Sequence, residues 1–362
     1  MKKLSVYLLM LTAIVLVGCK QEAPKYIIGV SQCSVDIWRS WQNAEMQTEA
    51  NFHEGVELRF AAANSDPEVQ SKQIDSLVAS GINLLIVTPN QLASVSPAID
   101  RVYDKGIPVI AFERKTDSRK YTAFVSADNY EMGHMMGEYI ASRLGGKGSI
   151  MEIQGPKGSK PAEDRYNGFH VAIASYPEIK VVAEIQGDWT EDAAHEGVKN
   201  WEGDLNGIEA VFGHNDRSAL GARKAFEERG ARMPLLCGID ALPGPDGGIH
   251  KVSEGQLDAS YIYPTRGDEL LKLAIAILDG ERFPKETMLT SALVTHDNAM
   301  VLKLGSDEVV RMTQNLNKLQ TLANGYTQQI ATQQTIWVLG GVSAALLLLS
   351  IMLAILYFRR AR

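Results

Sequence analysis

Catalysis and metal binding both require particular side chains to meet, and spacing along the chain is where such groupings first show. The three cysteines, Cys19, Cys33 and Cys237, are an odd number spread widely, so neither a disulfide framework nor metal-ligand spacing is visible. Cys33 and Cys237 read as small buried apolar residues. The seven histidines have no paired helical spacing, and no metal site is expected. His214 stands beside Asn215, a place that does not distinguish a ligand from a packed residue. The first apolar run reads Gly29-Val30-Ser31-Gln32-Cys33, not Gly-x-Gly-x-x-Gly, so a dinucleotide site is unsupported. Neither a nucleophile elbow nor a Walker loop occurs, and Gly145-Gly146-Lys147-Gly148 is most simply a turn before a strand. With no catalytic constellation the chain is not expected to be an enzyme or to hold a cofactor. The net charge of −7 provides no basic surface for nucleic acid. What remains is recognition chemistry.

The elements that would position it alternate. Short apolar runs, among them Tyr26–Val30, Val56–Ala61, Leu84–Val87, Pro108–Phe112, Ser149–Ile153, Val181–Ile185, Ala210–Phe212 and Leu235–Ile239, suit strands buried on both faces of a parallel sheet. Helical patterns lie between them. Pro67–Ser80, Pro97–Lys105 and Tyr130–Leu144 stop at Gly81, Gly106 and Gly145, where only glycine enters the left-handed conformation freely. Repeated βα units predict doubly wound sheets. The pattern restarts at Ser126-Ala127-Asp128-Asn129 and crosses back near Leu257–Tyr263 and again near Leu289–Val294. These crossings predict two lobes with a hinge and a cleft, lobe 1 from 26–127 with 264–288 and lobe 2 from 128–263 with 289–297. Ligands of such sheets bind outside the carboxyl ends of the strands.

Both ends point to a membrane. Lys2 and Lys3 precede an apolar Leu4–Val17, which predicts a signal peptide over 1–19. It ends Leu16-Val17-Gly18-Cys19, which resembles a bacterial lipobox with Cys19 as the lipidated residue; an ordinary signal peptide is the alternative. Ile336–Phe358 carries no charge. A helix of that length reaches roughly 34 Å, enough for a hydrocarbon core of about 30 Å. Arg359, Arg360 and Arg362 follow, the positive-inside signature of a cytoplasmic start at 359–362. Ahead of the span, over 306–335, Val309, Met312, Leu316, Leu319, Ala323, Tyr326, Ile330, Gln333 and Trp337 recur at spacings of three and four. This is a heptad seam, and Gly340 and Ala344 continue it as a small-xxx-small pair. The expectation is a helical stalk along which two chains pair as a homodimer; a helix packing back on its own lobe is the other reading.

Particular motifs carry a resemblance. Ile28-Gly29-Val30-Ser31, Leu84-Leu85-Ile86-Val87, Pro108-Val109-Ile110-Ala111-Phe112-Glu113-Arg114, Ser126-Ala127-Asp128-Asn129, Glu163-Asp164-Arg165-Tyr166-Asn167-Gly168-Phe169, Phe212-Gly213-His214-Asn215-Asp216 and Gly238-Ile239-Asp240-Ala241 follow one another in order. Residues from about Tyr26 to Val294 resemble the periplasmic sugar-binding proteins of the ribose and galactose type. With the span appended, the chain most resembles the fructose-sensing input domain of Bacteroides-type hybrid two-component receptors. The resemblance implies a type I periplasmic binding fold with hinge residues Asp128 and Asn129. It also implies an inner-membrane, single-pass protein whose binding domain lies in the periplasm. The partner is then a histidine kinase domain, either following Arg362 or encoded separately.

A sugar needs donors and acceptors for its hydroxyls and an aromatic ring for its C–H faces. By resemblance, Arg114 and Arg165 donate forked hydrogen bonds. Glu113, Asn215 and Asp240 accept, and Trp38 and Trp189 stack, one from each lobe. Tyr263 stands where the ribose type carries a Gln, Glu113 where Asp is usual, and Val35 and Ile37 where Asn and Phe are usual. These departures disfavour ribose; the resemblance implies a hexose, fructose foremost, as the expected monosaccharide. Asp36, Arg39 and Gln32 are candidates to replace the missing contacts. From the residues alone other roles stay open: Trp38 in the core, Asp188 or Thr190 as a helix cap beside Trp189, Asn215-Asp216 as a capping pair, Arg114 in a surface ion pair. A sugar sensor is the expected function; a binding lipoprotein delivering sugar to an ABC-type transporter is the alternative.

Overall fold

The structure, a computed structural model, describes residues 24–115 and 117–360. The expected signal peptide, Cys19 and Arg362 lie outside the described residues. The chain divides into two compact units, at Asp307 and Glu308.

In the first unit, β1 (Tyr26–Gln32), α1 (Ile37–Ala50), β2 (Val56–Ala62), α2 (Pro67–Ala79), β3 (Leu84–Val87), α3 (Leu92–Asp104), β4 (Val109–Phe112) and β5 (Ala123–Ser126) build one sheet with its helices. There follow α4 (Asn129–Arg143), β6 (Lys147–Gln154), α5 (Lys160–Ile173), β7 (Glu178–Gln186), α6 (Glu191–Lys199), β8 (Ala210–Gly213), α7 (Asp216–Glu228), β9 (Leu235–Cys237), α8 (Gly248–Ser253) and β10 (Ala259–Tyr261). The chain then returns through α9 (Gly267–Leu278) and β11 (Glu286–Met288) before β12 (Leu293–Thr295) and the long α10 (His296–Arg360).

Two six-stranded sheets result, ordered β11-β5-β4-β3-β1-β2 and β12-β10-β9-β8-β6-β7. This is the two-lobed α/β architecture of type I periplasmic binding proteins. All pairings in the first sheet are parallel. In the second, β12 runs antiparallel to β10, because the last crossing brings the chain in from the opposite direction. The central strands are buried residue by residue: Leu84–Val87, Val109–Phe112 and Ala210–Gly213 are covered throughout, as continuous apolarity requires. Gly81, Gly106 and Gly145 take positive φ of 84°, 78° and 64° at the predicted helix stops.

Pro97 does not open its helix. It lies inside α3, which begins at Leu92. Burial of Val95, Ala98, Ile99 and Val102 on one face outweighs the hydrogen bond that Pro97 cannot donate.

In the second unit, Glu308–Arg362, the described residues to Arg360 are helical. Its apolar residues are largely exposed, and α10 is long and apolar enough to cross a membrane.

Candidate functional site

Turns after the carboxyl ends of strands in both sheets converge on one cavity, with an empty volume of about 510 Å³ that includes open solvent. Its walls contain all eight residues singled out from the sequence, Trp38, Glu113, Arg114, Arg165, Trp189, Asn215, Asp240 and Tyr263. Asp36, Ile37, Arg39, Pro161 and Arg217 also line it. Gln32 does not, its amide being tied to Gln42 and Asn43, and Val35 is exposed.

After β1, Asp36 caps α1 by accepting from the Arg39 amide at 2.8 Å. It takes a second bond, 2.6 Å, from Arg39 Nη1. That cap sets the entry of the helix and so aims Arg39 at Glu113, whose Oε2 accepts from Arg39 Nη2 at 2.8 Å. The other oxygen of Glu113 accepts from the Tyr263 hydroxyl at 2.7 Å. Both side chains of the Arg39–Glu113 pair are buried, so each charge depends on the other. Arg39 was legible as a candidate contact in the loop after the first strand, while its pairing with Glu113, 74 residues along, leaves no local signal.

Trp38 donates Nε1–H to the Tyr263 carbonyl at 2.9 Å. Its ring stacks with Phe112 and Tyr263, centroids 5.9 and 5.1 Å away. It is both a core residue and a cavity wall, with Tyr263 already stacked on it. Arg114 is buried and donates to the carbonyls of Pro89 and Asn90 at 2.9 and 2.5 Å and to Ser159 Oγ at 3.3 Å. Ser159 opens α5 without capping it, so Arg114 bonds from one sheet's loops to the other's. The Nε of Arg114 and that of Arg39 are buried without a partner among the described residues, an arrangement that costs free energy unless an acceptor arrives. Arg114 is thus no surface ion pair.

From the second sheet, Arg165 on α5 donates Nε–H to Asn129 Oδ1 at 2.9 Å and Nη1–H to the His214 carbonyl. Its guanidinium lies 4.8 Å from the Tyr263 ring centre and 5.4 Å from that of Trp189. Asn129, expected at the hinge, therefore also orients Arg165, while Asp128 caps α4. Trp189 sits over Gly155, where any side chain would overlap its indole. Thr190 caps α6 and Asp188 holds Thr190. Asn215 does cap α7, accepting from the Ser218 amide at 2.9 Å, and its Nδ2 donates to the Trp189 carbonyl at 3.0 Å. One residue thus shapes both the helix start and the tryptophan loop.

Two carboxyls follow β8 and β9: Asp216 is buried and outside the cavity lining, and Asp240 is half-buried within it. Asp216 accepts from Ser260 Oγ at 2.5 Å and the Ala241 amide at 2.7 Å, and burial pushes its pKa up to about 6. Asp240 lines the cavity, and burial drives its carboxyl well above the usual range, against the pull of Arg165. Glu113, Trp189 and Asp240 hold positive φ of 61°, 77° and 134°. Such backbone costs of order 1–3 kcal/mol per residue and gathers at ligand sites.

Two α/β sheets with a polar, partly aromatic cavity between them define a class of solute-binding protein. The chain belongs to the periplasmic binding protein domain family, which matches residues 28–282. It is 31% identical over 277 residues to the xylitol-binding protein of Mycolicibacterium smegmatis, covering 76% of this chain and 78% of that one. It is 28% identical over 236 residues to the ribose import binding protein of Bacillus subtilis, covering 64% of this chain and 74% of that one. Among solved structures it is similar to the fructose-binding periplasmic domain of a hybrid two-component system. There the TM-score is 0.79 and the identity 40%, over 82% of this chain and 99% of that one.

Proposed function

We propose that this protein is the sugar-sensing input of a membrane-anchored two-component receptor, binding a monosaccharide, fructose foremost, between its two lobes. One observation carries the reading: buried guanidinium groups from both sheets, with Trp189 beside one of them, line a single polar and aromatic cavity. In this reading the lobes divide at 127/128, 263/264 and 288/289. The eight residues predicted from the sequence contact the ligand, and Asp128 and Asn129 form the hinge. The signal peptide and Cys19 direct export, 336–358 spans the inner membrane, and the stalk transmits lobe closure to a kinase. Sugar that touches both lobes favours the shut form by its differential affinity. Likeness to a two-component fructose-binding domain supports fructose and the kinase. Likeness to a ribose import binding protein favours a second reading, delivery to an ABC-type transporter.

The test is titration calorimetry of the full chain in detergent against fructose, ribose, xylitol and galactose. Fructose is expected to bind, and Arg165→Ala to weaken it at least about 100-fold, since hydrogen bonds to a charged group contribute roughly 1.5–3 kcal/mol each. Silence from every saccharide would remove the proposal.

A further inference from the structure

The spacing of the histidines gave no reason to expect a metal site, yet strand register assembles donors that lie far apart in the chain. Glu152 on β6 and Glu184 on β7 are partners in the parallel ladder. Both side chains therefore leave the sheet on one face, and like charges placed opposite one another cost stability. Glu152 is fully buried and Glu184 is exposed. His170 comes down from α5 with Nε2 2.9 Å from Glu152 Oε2. One ligand atom from each of Glu152, His170 and Glu184 lies within 4.8 Å of the others.

The surroundings hold these groups in place. His214 Nδ1 accepts the Gly155 amide at 3.3 Å, so Nε2 carries its proton and donates to Glu152 Oε1 at 2.9 Å. The ring of Tyr166 lies 4.0 Å from that of His170. A neighbouring cavity open to solvent is lined by Glu184, Gln154, Tyr166 and His214 among others, so that it reaches Glu184 but not Glu152 or His170.

We propose that Glu152, His170 and Glu184 bind a divalent transition-metal ion of the Zn²⁺ type. One imidazole nitrogen with two carboxylates suits zinc better than calcium or magnesium, which take oxygen ligands. Zinc bonds of about 2.0–2.2 Å leave little adjustment for the Glu152–His170 pair. The exposed Glu184 closes the remaining gap, and water completes the tetrahedron. The ion displaces the proton between His170 and Glu152, which moves to His170 Nδ1 or to solvent. The His214 hydrogen bond to Glu152 is then the outer-shell contact that orients a ligating carboxylate.

The experiment is calorimetric titration of ZnCl₂ into the full chain, prepared without a polyhistidine tag and stripped with chelator, with bound zinc counted by mass spectrometry. The expected result is one ion per chain, its affinity lowered at least about tenfold by Glu184→Gln and abolished by His170→Ala with Glu184→Gln. Circular dichroism checks that the variants are folded, and the exposed Glu184→Gln alone serves if the double variant is not. His53→Ala, at a separate histidine–glutamate pair, is expected to leave binding unchanged. No zinc uptake by the parent chain, or uptake that survives the Glu184→Gln change undiminished, overturns the proposal.

Discussion

Asp240 accepts no hydrogen bond from the described residues through its carboxylate, and it faces Arg165 on one hand and Asp216, Asp36 and Glu113 on the other. Burial outweighs the guanidinium, so the folded chain holds this proton more tightly than the unfolded chain does. The same holds for Asp216, raised by burial to about 6. The sign follows by linkage. A raised carboxyl has no effect while both states are protonated, and it lowers stability as pH climbs from near 4, where the unfolded chain loses its proton first. Asp36 and Glu152, held low despite burial by Arg39 in one case and by His170 and His214 in the other, act in the opposite sense. The contribution of Asp240 is therefore read as a difference. The Asp240→Asn variant is expected to melt progressively higher than the parent as pH rises from 4 to 7, with the two converging near pH 4. Tryptophan fluorescence melts at each pH check this, and a gap independent of pH would show that the carboxyl is not desolvated. The same variant is expected to bind sugar more weakly, which separates what this residue does for the ligand from what it costs the fold.

Arg165 is only as well placed as the helix that carries it. Helices α4 and α5 approach through glycine. A Cβ on Gly133 would overlap the Arg165 carbonyl oxygen and stand 2.8 Å from its Cα, and one on Gly137 would stand 2.7 Å from Ala172 Cβ. Gly168 on α5 is likewise pressed against the Tyr130 carbonyl. Backbone cannot yield as a flexible side chain does, so Gly133→Ala forces the helices apart. It is expected to cost about 1–3 kcal/mol, the usual range for overpacking, and to lower sugar affinity at least about tenfold by moving Arg165. Gly305→Ala, in α10 with nothing within 4 Å of the added methyl, is expected instead to stabilise by roughly 0.5–1 kcal/mol. Melting and calorimetry on both variants distinguish a positioning role from general sensitivity of helical glycines. Strands such as Leu84–Val87 and the glycine stops were legible in the sequence because each depends on its own residues. Glu113, Arg114, Arg165, Asn215 and Asp240 were legible through the order of their motifs, while Trp38, Trp189 and Tyr263 lie outside those motifs and were placed by the family resemblance alone. Three things were not: the Gly133–Arg165 approach, the Arg39–Glu113 pair and the meeting of Glu152 with Glu184. Each is fixed by helix packing or strand register between segments far apart in the chain, which local spacing does not encode.

Along α10, Val309, Met312, Leu316, Leu319, Tyr326, Ile330 and Trp337 are all exposed. An apolar stripe at three- and four-residue spacing on a helix left to itself keeps that surface in water, and a second copy laid along it would remove the cost. Such a pair suits the proposed receptor, because closure around a sugar would then be reported across the bilayer as a change in how two spans meet. If the stripe is the seam, Leu319→Cys and Ile330→Cys in membranes are expected to form disulfide-linked dimers readily under mild oxidation. Thr321→Cys, turned away from the stripe, is expected to react poorly. Cys33 and Cys237 are buried and should contribute little background, which the unsubstituted chain measures. Coupling between sites is reciprocal, so a cross-link that fixes the pair must also change sugar affinity, typically by 1–3 kcal/mol or about 5–150-fold. Comparing fructose titrations of the Leu319→Cys chain before and after reduction reads that change. Equal cross-linking at Leu319 and Thr321 would remove the seam, and an unchanged fructose affinity on reduction would separate the pair from the signal.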